Sequence, residues 1–339
     1  MPRRIALTIL CLVLGSYWTL VLSAPPLSGE EQQSPTETAT PSQTAALTAP
    51  EANPAPATPP AEDEPEAQTW TLQYKFLPGQ TIHYESTHEM EITTRYDGTS
   101  EIAKNKSEYR KHYHVLSVNE EGIAEIQTVI DWVRMMAKFG EDGPEQRFDS
   151  DKPEEASSRF EQVKAAVGKP QPTMAVSPSG ECLISARSDA GAKEAIQGFL
   201  IRLPEKPVTI GDSWKEDNYE VKVTVENNLT QSILLTRHYR LESVENGMAT
   251  ISMKTAVLTP VNNPKISAQL IQREISGKIV FDIEHGLIAS RQYDVDKAVI
   301  GAFGPKTAMQ AVSRLVEQRT NVPATADRAP GKTSGTETK

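Results

Sequence analysis

The chain has 339 residues, with 45 acidic against 35 basic side chains and a net charge of −10. That balance argues against nucleic acid as a partner. Its two cysteines, Cys11 and Cys182, lie on opposite sides of an expected cleavage site, so the mature domain has no disulfide framework and must rely on its core.

Residues 1–23 open with Arg3 and Arg4, and the run from Ile5 to Ala24 carries no charge. A basic start followed by an apolar run reads as an export signal, with Val21-Leu22-Ser23 as the small-residue cleavage region. The run is long for such a signal, so an uncleaved N-terminal membrane anchor is the alternative. Loss of Arg3 and Arg4 takes the net charge from −10 to −12. The expected location is extracytoplasmic, periplasmic or secreted, with membrane association only if the first segment is retained. Residues 24–69 hold ten of the 24 prolines and no Lys, Arg or aromatic residue. Such a segment cannot bury enough apolar area to offset chain entropy, and it is expected to be a disordered linker.

Composition changes at Trp70. From there to residue 320, alternating aromatic and β-branched residues predict strands near 70–76, 80–96, 107–118, 122–138, 171–177, 181–187, 219–226, 230–244, 247–258, 266–283 and 287–300. Two helices interrupt them. One is predicted over 153–168, where Phe160, Val163, Ala166 and Val167 share a face, and one over 188–204, which stops at Pro204. The segment 306–318 fits either a helix or a last strand. Residues 321–339 read as a disordered tail.

The strands repeat. "HYHVLSVNEEGIAEI" (112–126) and "HYRLESVENGMATI" (238–251) share His-Tyr, Ser-Val, a Gly turn and a closing Ala-x-Ile. Upstream, "PGQTIHYE" matches "IGDSWKE", and downstream, "VSPSGECLISAR" matches "FDIEHGLIASR". Three matches in the same order predict one domain of two pseudo-repeated halves, about 70–187 and 203–300. The fold class is mainly β: a large curved antiparallel sheet or open barrel with two inserted α-helices.

One motif suggests chemistry. Gly211-Asp212-Ser213 resembles the nucleophile block of secreted esterases, and Asp282-x-x-His285 resembles their second block. Ser213, Asp282 and His285 are the candidate catalytic set. Three features oppose it: residues after Ser213 alternate as a strand, the chain lacks βαβ order, and both blocks fall at turns of the repeat. No catalytic residue is therefore assigned. His112 and His114 share a strand face, a spacing that metal ligands use, but they match His238 and Arg240 and read as polar outer residues, so no metal and no cofactor is expected. Asp149 and Asp151 read as a solvated loop. Trp132, Met135 and Met136 read as core, and Cys182 as a buried packing residue.

"LPEKPVTIGDSW" (203–214), "KFGEDG…FDSD" (138–151) and "VGKP…VSPSGE" (167–181) resemble a family of exported bacterial proteins of unknown function common in planctomycete-type bacteria. The resemblance implies an all-β extracytoplasmic domain and transfers no catalytic residue. At the level of architecture the domain is also similar to curved-sheet lipoprotein carriers, which hold acyl chains between sheet and helices. The expected function is a non-enzymatic, exported cell-envelope domain that binds a partner or an apolar ligand. The alternatives are an esterase using Ser213 and His285, and a structural component of the envelope.

Overall fold

The computed structural model describes residues 68–155, 158–183, 200–224 and 230–321. Its strands are β1 (Thr81–Tyr96), β2 (Thr99–Val118), β3 (Ala124–Phe139), β4 (Gln146–Asp149), β5 (Met174–Val176), β6 (Cys182–Leu183), β7 (Ser213–Thr224), β8 (Thr230–Glu245), β9 (Met248–Val257), β10 (Ser276–Asp282), β11 (Leu287–Ile300) and β12 (Thr307–Thr320). They form one antiparallel sheet in the order β6-β5-β3-β2-β1-β12-β11-β10-β9-β8-β7, with β4 added beside β3. The sheet is not closed: among the described residues β6 and β7 end the path. None of the described helices is long and apolar enough to cross a membrane.

Alternation sets the two faces. On β1, Ile82, Tyr84, Met90 and Ile92 turn inward and are buried. Glu85, Glu89 and Glu91 turn outward and meet Arg110, Lys106 and Lys104 of β2. These exposed pairs are worth little individually. They mark the outer face as solvated.

The repeat is visible in the register. Ile82 pairs with Tyr113 and Trp214 with Tyr239; His83 pairs with His112 and Lys215 with His238. Each half starts on the same turn. Gly79 N–H donates to Val115 O and Val115 N–H to Gln80 O; in the second copy Gly211 N–H donates to Leu241 O and Leu241 N–H to Asp212 O. Both glycines sit at positive φ, 77° and 97°, where a side chain would be strained. Both halves also carry an irregularity at matching places, between Val115 and Ser117 and between Leu241 and Ser243. The order β6-β5-β3-β2-β1 of one half is repeated as β11-β10-β9-β8-β7 in the other, and β12 joins them between β1 and β11. The segment 306–318 is thus a strand, and it is the seam of the sheet.

Other elements differ from expectation. Residues 70–76 are extended but make one bridge, Trp70 to Val208. Their amides bond the turns of the two halves instead, Tyr74 N–H to Pro178 O and Lys75 N–H to Gly286 O. This frees Leu72, Tyr74 and Phe76 to fill the inner face. The predicted strand over 266–283 begins as a helix, α2 (Pro264–Leu270), because Asn263 caps it by accepting from Lys265 N–H and Pro264 opens its first turn. The helix predicted over 153–168 is two short 3-10 turns and α1 (Glu161–Ala166). Its apolar face is the expected one: Phe160 and Val163 pack on Ile130, Val133, Met135 and Phe148. Strand β4, which supplies Phe148, has no counterpart in the expected elements. The helix expected over 188–204 falls mainly outside the described residues, as do the leader, the linker and the tail; residues 200–203 are non-helical.

Candidate functional site

The esterase blocks are both turns. Asp212 accepts from Thr209 N–H (2.7 Å) and from the Thr209 hydroxyl (3.1 Å), which closes the turn that starts β7. Ser213 is exposed and pairs with Arg240 of β8. Asp282 and His285 do come together, Oδ2 to Nδ1 at 2.8 Å. The same carboxylate accepts from His285 N–H and from Arg319. Burial works to raise the Asp282 pKa, but these bonds outweigh it and hold it below its usual value. Asp282 is therefore the ionised cap of the β10–β11 turn. Strands β8 and β9 lie between β7 and β10, about 14 Å along the sheet at ordinary strand spacing. The structure does not bring Ser213 to the Asp282–His285 pair. Asp212→Ala should cost about 1 kcal/mol through loss of the turn bonds, and Ser213→Ala should stay within about 0.5 kcal/mol, both read as shifts in the urea midpoint.

The inner face has a different character along its length. At the end near the repeat turns it is packed. Inward residues of β1, β2, β3 and β5 meet those of β8, β9, β10 and β11 around Leu72, Tyr74, Phe76, Leu200, Ile201, Leu203 and Val208. Among the described residues, the side chains at this end pack into one apolar cluster. Further along β1, β2 and β12 the inward residues become small and polar. His88 stands opposite Ser107, and Met90 stands between Asn105 and Ser313. Ser86, His88, Asn105, Ser107 and Ser313 are all buried. Desolvation lowers the His88 pKa to about 4, so its imidazole is neutral near pH 7. Beyond this row lies a second apolar cluster in which Ala103, Ala268, Ala302 and Ala311 keep the side chains short. Thr94 Oγ1, one inward position beyond Ile92, and Gln272 Oε1, next to Ile271, are buried without a hydrogen-bond partner.

A buried ionic group bounds the row. Glu317 accepts from Lys111 Nζ at 2.6 Å and from Arg291 at 2.5 Å. Desolvation works to raise the Glu317 pKa, and the two cations outweigh it and hold it low. On β8, Arg237 reaches Glu216 at 3.3 Å and lies over the Tyr219 ring at 4.2 Å.

Other expected candidates separate. Met135 is buried on the inner face, whereas Trp132 faces outward between Arg110 and Arg134, each guanidinium 5.0 Å from the ring centroid. Asp149 pairs with Arg134 and caps Asp151 N–H. Cys182 is half-buried against the main core. His112 and His114 share the outer face and not their partners: His114 bonds Thr81 at 3.2 Å, while His112 bonds Asp131. The inner polar row went unseen in the sequence because serines and a histidine at inward positions look like solvent-facing ones. The signal was their placement, two residues apart in phase with Tyr84, Met90 and Ile92.

Residues 181–288, from the segment that holds β6 to the start of β11, match a family of unknown function, DUF6263. No curated protein matches the chain. Among solved structures the chain is similar to lipovitellin, in a structure concerned with lipid–protein interactions, at 11% identity and a TM-score of 0.41; the match covers 74% of this chain and 26% of the other, so the chain spans about a quarter of that protein. It is also similar to DynF from the dynemicin biosynthesis pathway of Micromonospora chersina, at 8% identity and a TM-score of 0.20, covering 75% of this chain and 86% of DynF. A DUF1329 family protein from Desulfovibrio piger aligns at 9% identity and a TM-score of 0.14, covering 70% of this chain and 84% of the other.

Proposed function

We propose that the chain is an exported, non-enzymatic binding module of the cell envelope, carried on the linker 24–69, and that its inner sheet face holds a small amphipathic molecule. The observation that carries this reading is the buried row Ser86, His88, Asn105, Ser107 and Ser313, set between two apolar clusters, with the unpartnered Thr94 and Gln272 oxygens beyond it. Ligand sites combine an apolar lining with a few fixed polar groups. Buried polar atoms without partners are rare in a face that only packs. The apolar body of the ligand lies against the alanine-rich cluster, and its polar group meets the neutral His88 and the serines. The ligand is an amphiphile whose polar group is neutral or singly anionic, because Glu317 offsets only one of the two charges on Lys111 and Arg291.

Filling the face tests the reading. Ser107→Leu and Ala311→Leu place bulk on the inner surface. In a closed-packed face each overpacks and costs about 1–3 kcal/mol. In a ligand chamber each leaves thermal stability within about 0.5 kcal/mol and displaces the ligand. The measurements are native mass spectrometry of the gently purified chain, solvent extraction, and titration with a dansylated fatty acid, each paired with a melting curve. A bound mass in the parent chain that falls at least tenfold in both variants at unchanged stability is the expected result. Loss of stability with no ligand ever detected would assign these residues to packing and leave a structural role in the envelope.

A further inference from the structure

The outer face of the first half carries a cluster that the second half lacks. His83 of β1 stands directly opposite His112 of β2, with ring centroids 5.5 Å apart. The third member comes from β3. Lys111 pairs with Ile130 and Arg110 with Trp132, so Asp131 is an extra residue between them. A bulge of this kind re-aims a side chain, and here it turns the Asp131 carboxylate to His112 Nδ1, at 2.8 and 2.9 Å. One ligand atom from each of His83, His112 and Asp131 lies within 4.8 Å of the others. His83 Nδ1 is buried and has no hydrogen-bond partner.

The repeat supplies an internal control. At the matching outer positions the second half has Lys215 opposite His238, and His238 opposite Lys254. Its β8–β9 pairing runs without a break from Leu235–Val257 to Leu241–Ile251, so no residue is extruded where Asp131 is extruded in the first half. The fold therefore forms without the bulge. Three basic side chains occupy the second face, and two imidazoles with one carboxylate occupy the first.

We propose that His83, His112 and Asp131 form a divalent transition-metal site, with zinc as its natural class of ion. Two imidazole nitrogens and one carboxylate oxygen suit zinc, which takes three protein ligands and leaves a fourth position for water or an external group. Tetrahedral zinc holds its ligand atoms roughly 3.4 Å apart at bond lengths near 2.0–2.2 Å, so side-chain rotation that draws the set in by about 1.5 Å completes it. The metal takes the place of the proton shared by His112 and Asp131. Nearby groups are already engaged: Glu85 by Arg110 at 3.2 Å and His114 by Thr81 at 3.2 Å. The fourth position is therefore external to the protein, and the site is suited to a partner or ligand that brings one donor. This inference is independent of the inner-face reading, since the two use opposite faces of β1 and β2.

The test uses the full chain without a histidine tag, stripped with chelator and titrated with zinc alone by calorimetry. Cobalt is added in parallel for its visible absorption, and copper for quenching of Trp132, the residue beside Asp131. The expected result is one zinc per chain, four-coordinate cobalt bands, and binding at least tenfold weaker in each of His83→Gln, His112→Gln and Asp131→Asn. Circular dichroism melts confirm that these variants are folded. His114→Gln, His285→Gln and Cys182→Ser retain the parent affinity. Absence of saturable 1:1 binding overturns the proposal. So does binding that survives His83→Gln and Asp131→Asn, or that follows His285 or Cys182; the His112–Asp131 pair is then an outer-face ion pair only.

Discussion

Replacing Glu317 by Gln should cost about 3–5 kcal/mol of stability, the range for breaking a buried ion pair by removing one partner. The side chains of Glu317 and Arg291 are each 3% exposed, and Lys111 is 20% exposed. One carboxylate thus holds two cations on the inner face. Without it, the two cations remain beside each other, Arg291 buried and Lys111 only partly open to water. The group sits at the seam of the repeat: Glu317 is on β12, Lys111 on β2 and Arg291 on β11. Its loss should therefore loosen the joint between the halves as well as the local packing. Urea unfolding should show a lower midpoint at unchanged slope if the loss is global. A companion double variant, Glu317→Leu with Arg291→Leu, should recover most of the loss, since apolar replacement of a whole buried pair is often neutral.

The pH dependence follows from the direction of the Glu317 shift. Its folded pKa is lowered, chiefly by Arg291 and Lys111 acting against desolvation. A carboxyl group of this kind contributes its stability in full above its unfolded pKa, about 4.3. The contribution is lost as pH falls through the lower folded value, because the unfolded chain then binds protons first. Parent and Glu317→Gln should differ most at neutral pH and converge in acid. A gap that stays constant from pH 7 to pH 2 would show that Glu317 acts through packing and not through charge.

The fold was largely legible because its turns are chemically loud. Gly79 and Gly211, the paired His-Tyr motifs and the shared Ser-Val positions recur in register, and the same hydrogen bonds follow them. What escaped was quieter. Inward positions of β12 include Ser313 and Glu317 beside Met309 and Ala311, so period-two alternation of apolar residues is hidden and a helical period shows instead. In α2, Ile266, Ala268 and Leu270 alternate like a strand, and only the Asn263-Pro264 cap betrays the helix. The sites were less legible than the fold for a related reason. His83, His112 and Asp131 meet through strand pairing and a one-residue bulge, and neither is written in any local spacing. The visible pair, His112 and His114, shares a face, but only His112 enters the cluster, and its companions come from other strands. Ser213 shows the converse case: a motif with the right letters, held three strands from the histidine it would need.

Tyr74→Ala should be comparably destructive, about 3–5 kcal/mol, the range for removing a buried aromatic ring. Tyr74 belongs to the extended segment that plugs the packed end of the inner face. It stacks on Phe76 at 5.5 Å and meets Phe281 edge-on at 5.6 Å. Its hydroxyl donates to Ile201 O at 3.3 Å and accepts from Ile201 N–H at 3.0 Å. Through these contacts one ring ties the start of the first half to the strand β10 of the second and to the segment at 200–203. Tyr74→Phe keeps the ring and strands both Ile201 groups, which should cost about 1–3 kcal/mol. The two variants together separate the ring from the hydroxyl. If Tyr74→Phe matches Tyr74→Ala in the urea midpoint, the Ile201 bonds dominate. If it matches the parent, the segment is held by area alone. The intermediate value expected here makes residues 70–76 a shared core element of both halves, which explains why a stretch with strand-like alternation never joins the sheet: its side chains are needed inside the face that the sheet encloses.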